Sequence, residues 1–258
     1  MLEIVSALCS HLEYQKSLGV RWIEELSAQR SASPVNTDVP PVVRLSTPVS
    51  APAVVSQARQ VTPAKSVPAV EATAGLAGVR AELGDCTRCA LSRSRTNIVF
   101  GEGDPKASIF FIGEAPGSEE DKLAKPFTGE PGQLFTDIIV KGMKIRREDV
   151  YVCTIVMCRP PADRKPETAE LVACEPFIRK QILAVRPQVI VTLGNVPTHA
   201  LLKTKEGITK LRGTWHTYEG IPVMPTYNPA YLLHNPGEKK NVWADIKMVM
   251  AKLGMTIK

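Results

Sequence analysis

Short apolar runs separated by helical patterns most constrain the fold of this 258-residue chain. Strands that alternate with helices favour a parallel sheet covered on both faces. The sequence therefore predicts an α/β three-layer sandwich with a four-stranded, mainly parallel sheet. The runs typical of buried strands are ASIFFIG (107–113), VYVCTIVM (150–157), PQVIVTLG (187–194) and IPVMPTY (221–227), and helical patterns cover 132–143, 166–185, 196–203 and 240–253.

Functional groups of such a sheet gather at the carboxyl ends of its strands. That rule directs attention to GEAPG (113–117), MCRPP (157–161), LGN (193–195) and TYNPAYLLHNP (226–236). In the third of these, we expect Asn195 to cap the following helix rather than to bind a ligand.

The chain before residue 76 has a different composition. Residues 1–30 repeat apolar side chains at helical spacing, which predicts an N-terminal helix that tethers or oligomerises the chain. Residues 31–75 are rich in Pro, Ala and Val, which predicts a flexible linker. The domain that carries the motifs is expected over residues 76–258.

Charge and hydropathy limit the partners and the compartment. The net charge is +6, and the first 75 residues are neutral, so the whole excess lies in the motif-bearing domain. A basic domain favours a polyanion such as nucleic acid. No apolar run is long enough to span a membrane, and the N-terminus, with Glu3, does not resemble a signal peptide. We therefore expect a cytoplasmic protein without a membrane partner.

The cysteine pattern leaves several alternatives open. In a reducing compartment the CTRC sequence at 86–89 favours a ligand or redox site over a disulfide. Together with Cys158 and Cys174, the pair could hold zinc or an iron–sulfur cluster. The alternative is that the two later cysteines are ordinary buried side chains, as we expect for Cys9 and Cys153.

Three ordered motifs carry a resemblance to a known family: GEAPGSEEDKLAKPFTGEPGQLF (113–135), MCRPPADRKPETAELVAC (157–174) and TYNPAYLLHNP (226–236). The chain resembles the family 4 uracil-DNA glycosylases, the iron–sulfur branch of their superfamily, over about residues 80–254. The resemblance implies the uracil-DNA glycosylase fold. It also implies a hydrolase that cuts the N-glycosidic bond of uracil, or of another deaminated base, to start base-excision repair. A structural [4Fe–4S] cluster would then be held by Cys86, Cys89, Cys158 and Cys174.

The resemblance also assigns roles in the first motif. Glu114 would orient water and stabilise the cationic sugar electrostatically, and Gly113 and Ala115 would approach the base through their backbone. Phe127 would stack on a uracil flipped out of the helix. The alternatives are a solvent-exposed turn carboxylate at Glu114 and a core-filling ring at Phe127.

Two positions depart from the family pattern. Thr154 stands where the family usually has an Asn that reads the base edge, which puts discrimination among bases in doubt. Asn228 stands where the family usually has a His, and its amide could donate to O2 of uracil. The opposing interpretation is that Asn228 only forms the turn before Pro229 by bonding to its own backbone.

DNA contacts are predicted around the last motif. Leu232 and Leu233 are candidates for a wedge that fills the gap left by the base, and His234 for a minor-groove contact; alternatively the leucines pack inward. The candidates for phosphate pairing are Arg159, Arg164, Lys165, Lys239 and Lys240, although charged clusters are also common on solvated faces.

Three functions follow from these observations. The leading one is a monomeric glycosylase acting on DNA with a damaged base. The second is a protein of the same fold that binds lesions with little or no cutting. The third, a zinc protein of unrelated function, is disfavoured by the wide separation of Cys158 from Cys174. A partner for the N-terminal helix is not identified by any motif.

Overall fold

The computed structural model describes residues 75–256, and the predicted N-terminal helix and all of the predicted linker except Gly75 lie outside them. The strands are β1 (Glu102–Gly103), β2 (Ile109–Gly113), β3 (Tyr151–Thr154), β4 (Val189–Leu193), β5 (His216–Tyr218) and β6 (Ile221–Thr226). The α-helices are α1 (Gly75–Leu83), α2 (Ser118–Leu123), α3 (Gly129–Asp137), α4 (Thr168–Val185), α5 (Asn195–Leu202), α6 (Ile208–Leu211), α7 (Pro229–His234) and α8 (Lys239–Lys252).

The strands form one mixed sheet in the order β1-β3-β2-β4-β6-β5. The four inner strands are parallel, which confirms the predicted α/β sheet. The predicted strand count is corrected, because β1 and β5 add antiparallel pairings at the two edges. These edge strands have two and three residues, too few to show an alternating pattern in the sequence.

Successive side chains of the inner strands face opposite layers, as the pleat of a strand requires. In β2, Ile109 and Phe111 pack against α3, α7 and α8, whereas Phe110 and Ile112 pack against α1, α4 and α5. Both faces of β2 are therefore buried, which explains its uninterrupted apolar sequence. Helices cover both sides, so the three-layer arrangement is confirmed.

Two helical details differ from the expected ones. The helix predicted over 132–143 begins earlier as α3 and changes to π-helical winding over Ile138–Met143. Asn195 is the first residue of α5 rather than its cap, and its Oδ1 accepts from the backbone N–H of Ile208, at 2.7 Å. It thereby ties the start of α5 to the start of α6.

None of the helices within residues 75–256 has the length and apolar character needed to cross a membrane.

Candidate active site

The predicted motifs meet at one end of the sheet, where the parallel strands have their carboxyl ends. The site there is formed by the residues that follow β2, β3, β4 and β6. Gly113 at the end of β2 is in register with Thr154 at the end of β3, and Leu193 at the end of β4 with Thr226 at the end of β6. Neighbouring strands are about 4.8 Å apart, so the ends of β2 and β6 are separated by about 10 Å.

The Phe127 ring lies directly against the end of β2. A Cβ on Gly113 would stand 2.6 Å from Cζ of Phe127 and 3.3 Å from Cγ2 of Thr154, so only glycine permits this approach. The ring stacks on Phe135, with centroids 4.6 Å apart. Phe127 is therefore both a core residue and a neighbour of the base-recognition positions predicted from the sequence.

Glu120 and Arg147 fix the loop that presents Phe127, and neither was singled out from the sequence. Glu120 accepts hydrogen bonds from the backbone N–H groups of Gly117 and Phe127, the latter at 3.0 Å. Arg147 donates to the carbonyl oxygen of Pro126 at 2.7 Å. These bonds hold Phe127 at φ +53°, a conformation that is rare for a bulky residue. The sequence did contain a signal for Glu120: it lies three residues after Gly117, the spacing of a capping box at the start of a helix.

Glu114 is a half-buried carboxylate just past β2. Among residues 75–256 its side chain accepts no hydrogen bond, although its backbone oxygen accepts one from Val156 at 3.4 Å. Burial raises the pKa of Glu114 above its usual value, and the charge of Lys165 opposes that rise. The arrangement leaves a carboxylate that can accept a proton or a hydrogen bond from a ligand.

Thr154 ends β3 with its side chain only 2% exposed. Its hydroxyl is buried and has no hydrogen-bond partner, a property shared within the described residues only by Thr128, which follows Phe127. Most buried hydroxyl groups are paired, so each exception calls for an explanation. A ligand that enters between these positions is one such explanation.

Asn228 performs the structural role that the opposing interpretation predicted. It is the N-cap of α7, and its Oδ1 accepts from the backbone N–H of Ala230 at 2.9 Å. That bond leaves the amide Nδ2 without a hydrogen-bond partner within the described residues. The cap fixes the orientation of the amide, so capping and donation to a ligand are compatible in one side chain.

A buried ion pair supports the segment that carries Asn228. Asp245 is 1% exposed and accepts from the Thr226 hydroxyl at 2.6 Å and from Arg212 Nη2 at 2.5 Å. The Arg212 guanidinium lies 5.5 Å from the ring centroid of Tyr227. Burial raises the pKa of Asp245, and the bonds from Thr226 and Arg212 counteract this.

We use the term support layer for Glu120, Asp121 and Asp245. Asp121 in α2 accepts from the backbone N–H groups of Thr96, at 2.9 Å, and Asn97, at 3.1 Å. Burial raises the pKa of Asp121, but the hydrogen bonds from Thr96 and Asn97 outweigh burial and hold it below its usual value. The support layer therefore joins the candidate site to the segment that follows the first two cysteines.

The predicted wedge needs a correction at Leu232. In α7 this side chain is 1% exposed and packs in the core, so it does not face a DNA groove. Leu233 is half-buried and His234 is exposed, and both remain predictions. Tyr231, which was not predicted, is 43% exposed and lies 5.0 Å from the ring centroid of Tyr227. The helical phase of α7 decides which of these residues face outward.

The predicted phosphate contacts divide into paired and unpaired groups. Arg164 donates to both carboxylate oxygens of Glu170, at 2.9 and 2.7 Å, and Arg159 pairs with Asp163 at 2.8 Å. Each guanidinium carries five N–H groups, so these pairs leave donors for a phosphate, and Arg159 and Arg164 remain predictions. Lys165, Lys239 and Lys240 are exposed and remain candidates.

The four cysteines predicted as ligands converge on what we call the cysteine pocket. Cys158 and Cys174 pack with Leu91 and Val156 in a small apolar cluster that Cys89 contacts. Arg95 connects Cys86 to this cluster through hydrogen bonds to the Cys86 oxygen, at 2.6 Å, and to Cys158 Sγ, at 3.4 Å.

The chemistry of the pocket is that of free thiols. Cys86, Cys89, Cys158 and Cys174 form no disulfide. Burial raises the pKa of Cys158 above its usual value and that of Cys174 to about 12. Within residues 75–256 no three His, Cys, Asp or Glu side chains stand close enough to share a single metal ion.

Comparison with known proteins identifies the family. A family model described as the uracil DNA glycosylase superfamily matches residues 100–247, more than half of the chain. The type-4 uracil-DNA glycosylase of Saccharolobus solfataricus is 44% identical over 67% of this chain and 83% of its own length. The chain belongs to the type-4 uracil-DNA glycosylases.

Two further relatives of the family give the same result. The type-4 enzyme of Sulfurisphaera tokodaii is 40% identical over 66% of this chain and 81% of its own length. That of Thermotoga maritima is 46% identical over 58% of this chain and 79% of its own length. The resemblance drawn from the three motifs is therefore confirmed.

Proposed function

We propose that this chain removes uracil from DNA by hydrolysing its N-glycosidic bond, the first step of base-excision repair. The observation that carries the proposal is the Glu114 carboxylate, which is half-buried just past β2 and accepts no hydrogen bond from the described residues. The names of the type-4 relatives supply the substrate class. Glycosidic cleavage needs such a carboxylate, because positive charge develops on the sugar.

In the proposed reaction, water attacks C1′ of the deoxyribose while the bond between C1′ and N1 of uracil breaks. Glu114 orients the water through a hydrogen bond and stabilises the developing cation on the sugar. The bonding electrons leave with the base, whose O2 accepts a hydrogen bond from Nδ2 of Asn228. The departing uracil anion then takes up a proton, and the proton lost by water passes to solvent.

Recognition of the base is assigned to the end of β2 and the adjacent side chains. Gly113 and Ala115 allow the base to approach the backbone, and the Phe127 ring provides a stacking surface for a flipped base. The Thr154 hydroxyl, which is buried and unpaired within the described residues, offers one hydrogen bond to the base edge. A hydroxyl can donate or accept, so it discriminates among bases less strictly than a fixed amide.

DNA binding is assigned to α7 and the start of α8. Leu233 and the exposed His234 lie on α7, and Lys239 and Lys240 begin α8 with exposed side chains. Lysines that pair with phosphates release counterions, so affinity for DNA should fall steeply as salt rises. Substituting Lys239 and Lys240 with Glu should reduce that dependence on salt.

We also propose that the cysteine pocket holds a [4Fe–4S] cluster. Four free thiols from three segments converge there, and a cluster of this type is bound by four cysteine thiolates. Zinc would need its ligands about 2.3 Å from one ion, whereas the thiolates of a cluster bind four different irons. The cluster, when bound, would supply ligand bonds that link residues 86–89 to the segment after β3 and to α4. Cys89→Ser and Cys174→Ser should therefore lose iron and visible absorption, and metal analysis of the unaltered protein distinguishes iron from zinc.

The function is tested by single-turnover excision from an oligonucleotide with one uracil. Glu114→Gln should slow excision about a hundredfold, the effect of losing one electrostatic contribution of about 3 kcal/mol. Glu119→Gln, which alters an exposed acid in the first turn of α2, is the matched control and should keep the rate. Full activity of Glu114→Gln would refute the role of this carboxylate. Tight binding by the unaltered protein without base release would instead support a lesion-binding protein.

A further inference from the structure

Two arginines lie against the cysteine pocket, and the proposed excision chemistry uses neither. Arg95 Nη1 is 3.4 Å from Cys158 Sγ, and Arg88 Nη1 is 3.3 Å from Cys86 Sγ. Two of the four proposed ligand sulfurs therefore accept a hydrogen bond from a guanidinium. Such bonds are stronger when the acceptor is charged, so they favour thiolate over thiol.

Arg95 lacks a buried counter-ion of its own. Its side chain is 7% exposed, and its one carboxylate partner among the described residues is Asp85, which is 92% exposed and 2.5 Å away. An exposed carboxylate offsets little of the cost of burying a guanidinium. The Arg95 guanidinium therefore needs negative charge on the side that faces the cysteine pocket, and neutral thiol groups do not provide it.

Arg88 is held in place independently of the sulfur. Its Nη1 also donates to the Leu83 oxygen at 3.2 Å, and its guanidinium carbon lies 4.7 Å from the ring centroid of Phe177. A planar guanidinium stacks well on an aromatic ring. These contacts fix the direction in which Arg88 donates to Cys86.

We propose that Arg95 and Arg88 are the counter-ions of the iron–sulfur cluster and slow its loss from the protein. The proposal rests on the cluster proposed above. Positive charge and hydrogen bonds at the ligand sulfurs stabilise the electron-rich state of such a centre. Arg95 has the larger effect, because it is the more buried of the two and contacts both Cys86 and Cys158.

The experiment compares Arg95→Gln and Arg88→Gln with Arg93→Gln, an exposed arginine on the short 3₁₀ helix Ala90–Arg93. The full-length proteins are purified without oxygen, and iron content and visible absorption are followed after addition of an iron chelator. Arg95→Gln should lose absorption about tenfold faster than the unaltered protein, a typical effect of removing a partner of a metal ligand. Arg88→Gln should show a smaller acceleration, and Arg93→Gln none.

The reduction potential of the centre gives a second, independent readout. Both Arg95→Gln and Arg88→Gln should shift it to more negative values in voltammetry, because removing positive charge disfavours added electrons. Arg95→Lys, which keeps the charge but loses the planar fork, should fall between Arg95→Gln and the unaltered protein.

The outcomes separate this inference from the proposals on which it rests. Rates and potentials equal to those of Arg93→Gln would overturn the inference while the cluster stands. An unaltered protein that excises uracil but contains no iron would overturn the cluster and this inference, and leave the excision proposal intact. If Arg95→Gln fails to fold, the exposed Arg88 decides the question through its own variant.

Discussion

The support layer and the groups of the proposed site lie at the same end of the sheet, where the parallel strands have their carboxyl ends. They differ in whether their polar atoms have hydrogen-bond partners within the protein. Burial raises the pKa of both Glu120 and Glu114. Within residues 75–256, however, the Glu120 carboxylate accepts hydrogen bonds from two backbone N–H groups and the Glu114 carboxylate accepts none. Asp245 is likewise bonded to Thr226 and Arg212, whereas the Thr154 hydroxyl has no partner in the described part of the chain. Groups satisfied by the protein stabilise its shape, and groups left unsatisfied are available to a ligand.

This difference predicts that substitutions in the support layer lower stability, whereas substitutions among the unsatisfied groups lower the rate. Substitutions at four positions test that division, and they follow from the largest expected effect to the smallest.

Asp245→Ala should cause the largest loss of stability. It leaves the Arg212 guanidinium and the buried Thr226 hydroxyl without their acceptor, and breaking a buried pair in this way costs about 3–5 kcal/mol. Urea unfolding followed by circular dichroism measures the loss. The rate of excision per folded molecule should change little, and a large fall in that rate would contradict the division.

Asn228→Asp should separate capping from catalysis. Aspartate retains an oxygen that accepts from the Ala230 N–H and is an equally good N-cap, so the melting temperature should hold. The Nδ2 donor is lost and a negative charge replaces it, so excision should slow by about a hundredfold or more. Asn228→Ala, which removes both functions, should also lower stability by about 1 kcal/mol. An unchanged rate in both variants would make Asn228 a cap only.

Thr154→Val should raise stability by about 1 kcal/mol, because it replaces a buried hydroxyl that has no partner with a methyl group of similar shape. Excision of uracil should slow by about tenfold if the hydroxyl bonds the base edge, a loss of about 1.4 kcal/mol. Thermal unfolding and single-turnover kinetics give the two quantities. A fall in melting temperature would show that the hydroxyl has a structural partner.

Glu114→Gln should give the smallest stability change, with a size that depends on pH. The folded chain keeps the Glu114 proton to higher pH than the unfolded chain, because burial raises the pKa of this carboxyl. The free energy of unfolding therefore falls as pH rises through that interval. At pH 7 the variant should melt slightly above the unaltered protein, and below about pH 4 the difference should vanish. A lower melting temperature at pH 7 would mean that the charge is satisfied within the fold.

The sequence by itself determined the four inner strands, because each is a buried apolar run bounded by turn residues. It also placed the motifs at the strand ends, since parallel strands have their carboxyl ends on the same side of the sheet. The family followed from the order of the GEAPG, MCRPP and TYNPAYLLHNP motifs. These features depend on local patterns and on connectivity, which a chain carries in its residues alone.

Only the tertiary structure decided which polar and apolar side chains are available to a ligand. Leu232 and Leu233 are adjacent and chemically identical, and the packing of α7 buries the first. Arg164 pairs with Glu170 in the folded chain, whereas its neighbour Lys165 is exposed. Asn228 is a cap whose amide nitrogen has no hydrogen-bond partner among residues 75–256, and Arg95 lies beside Cys158, which is distant in sequence. Such pairings depend on distances between separate segments, and those distances exist only once the sheet and its helices have packed.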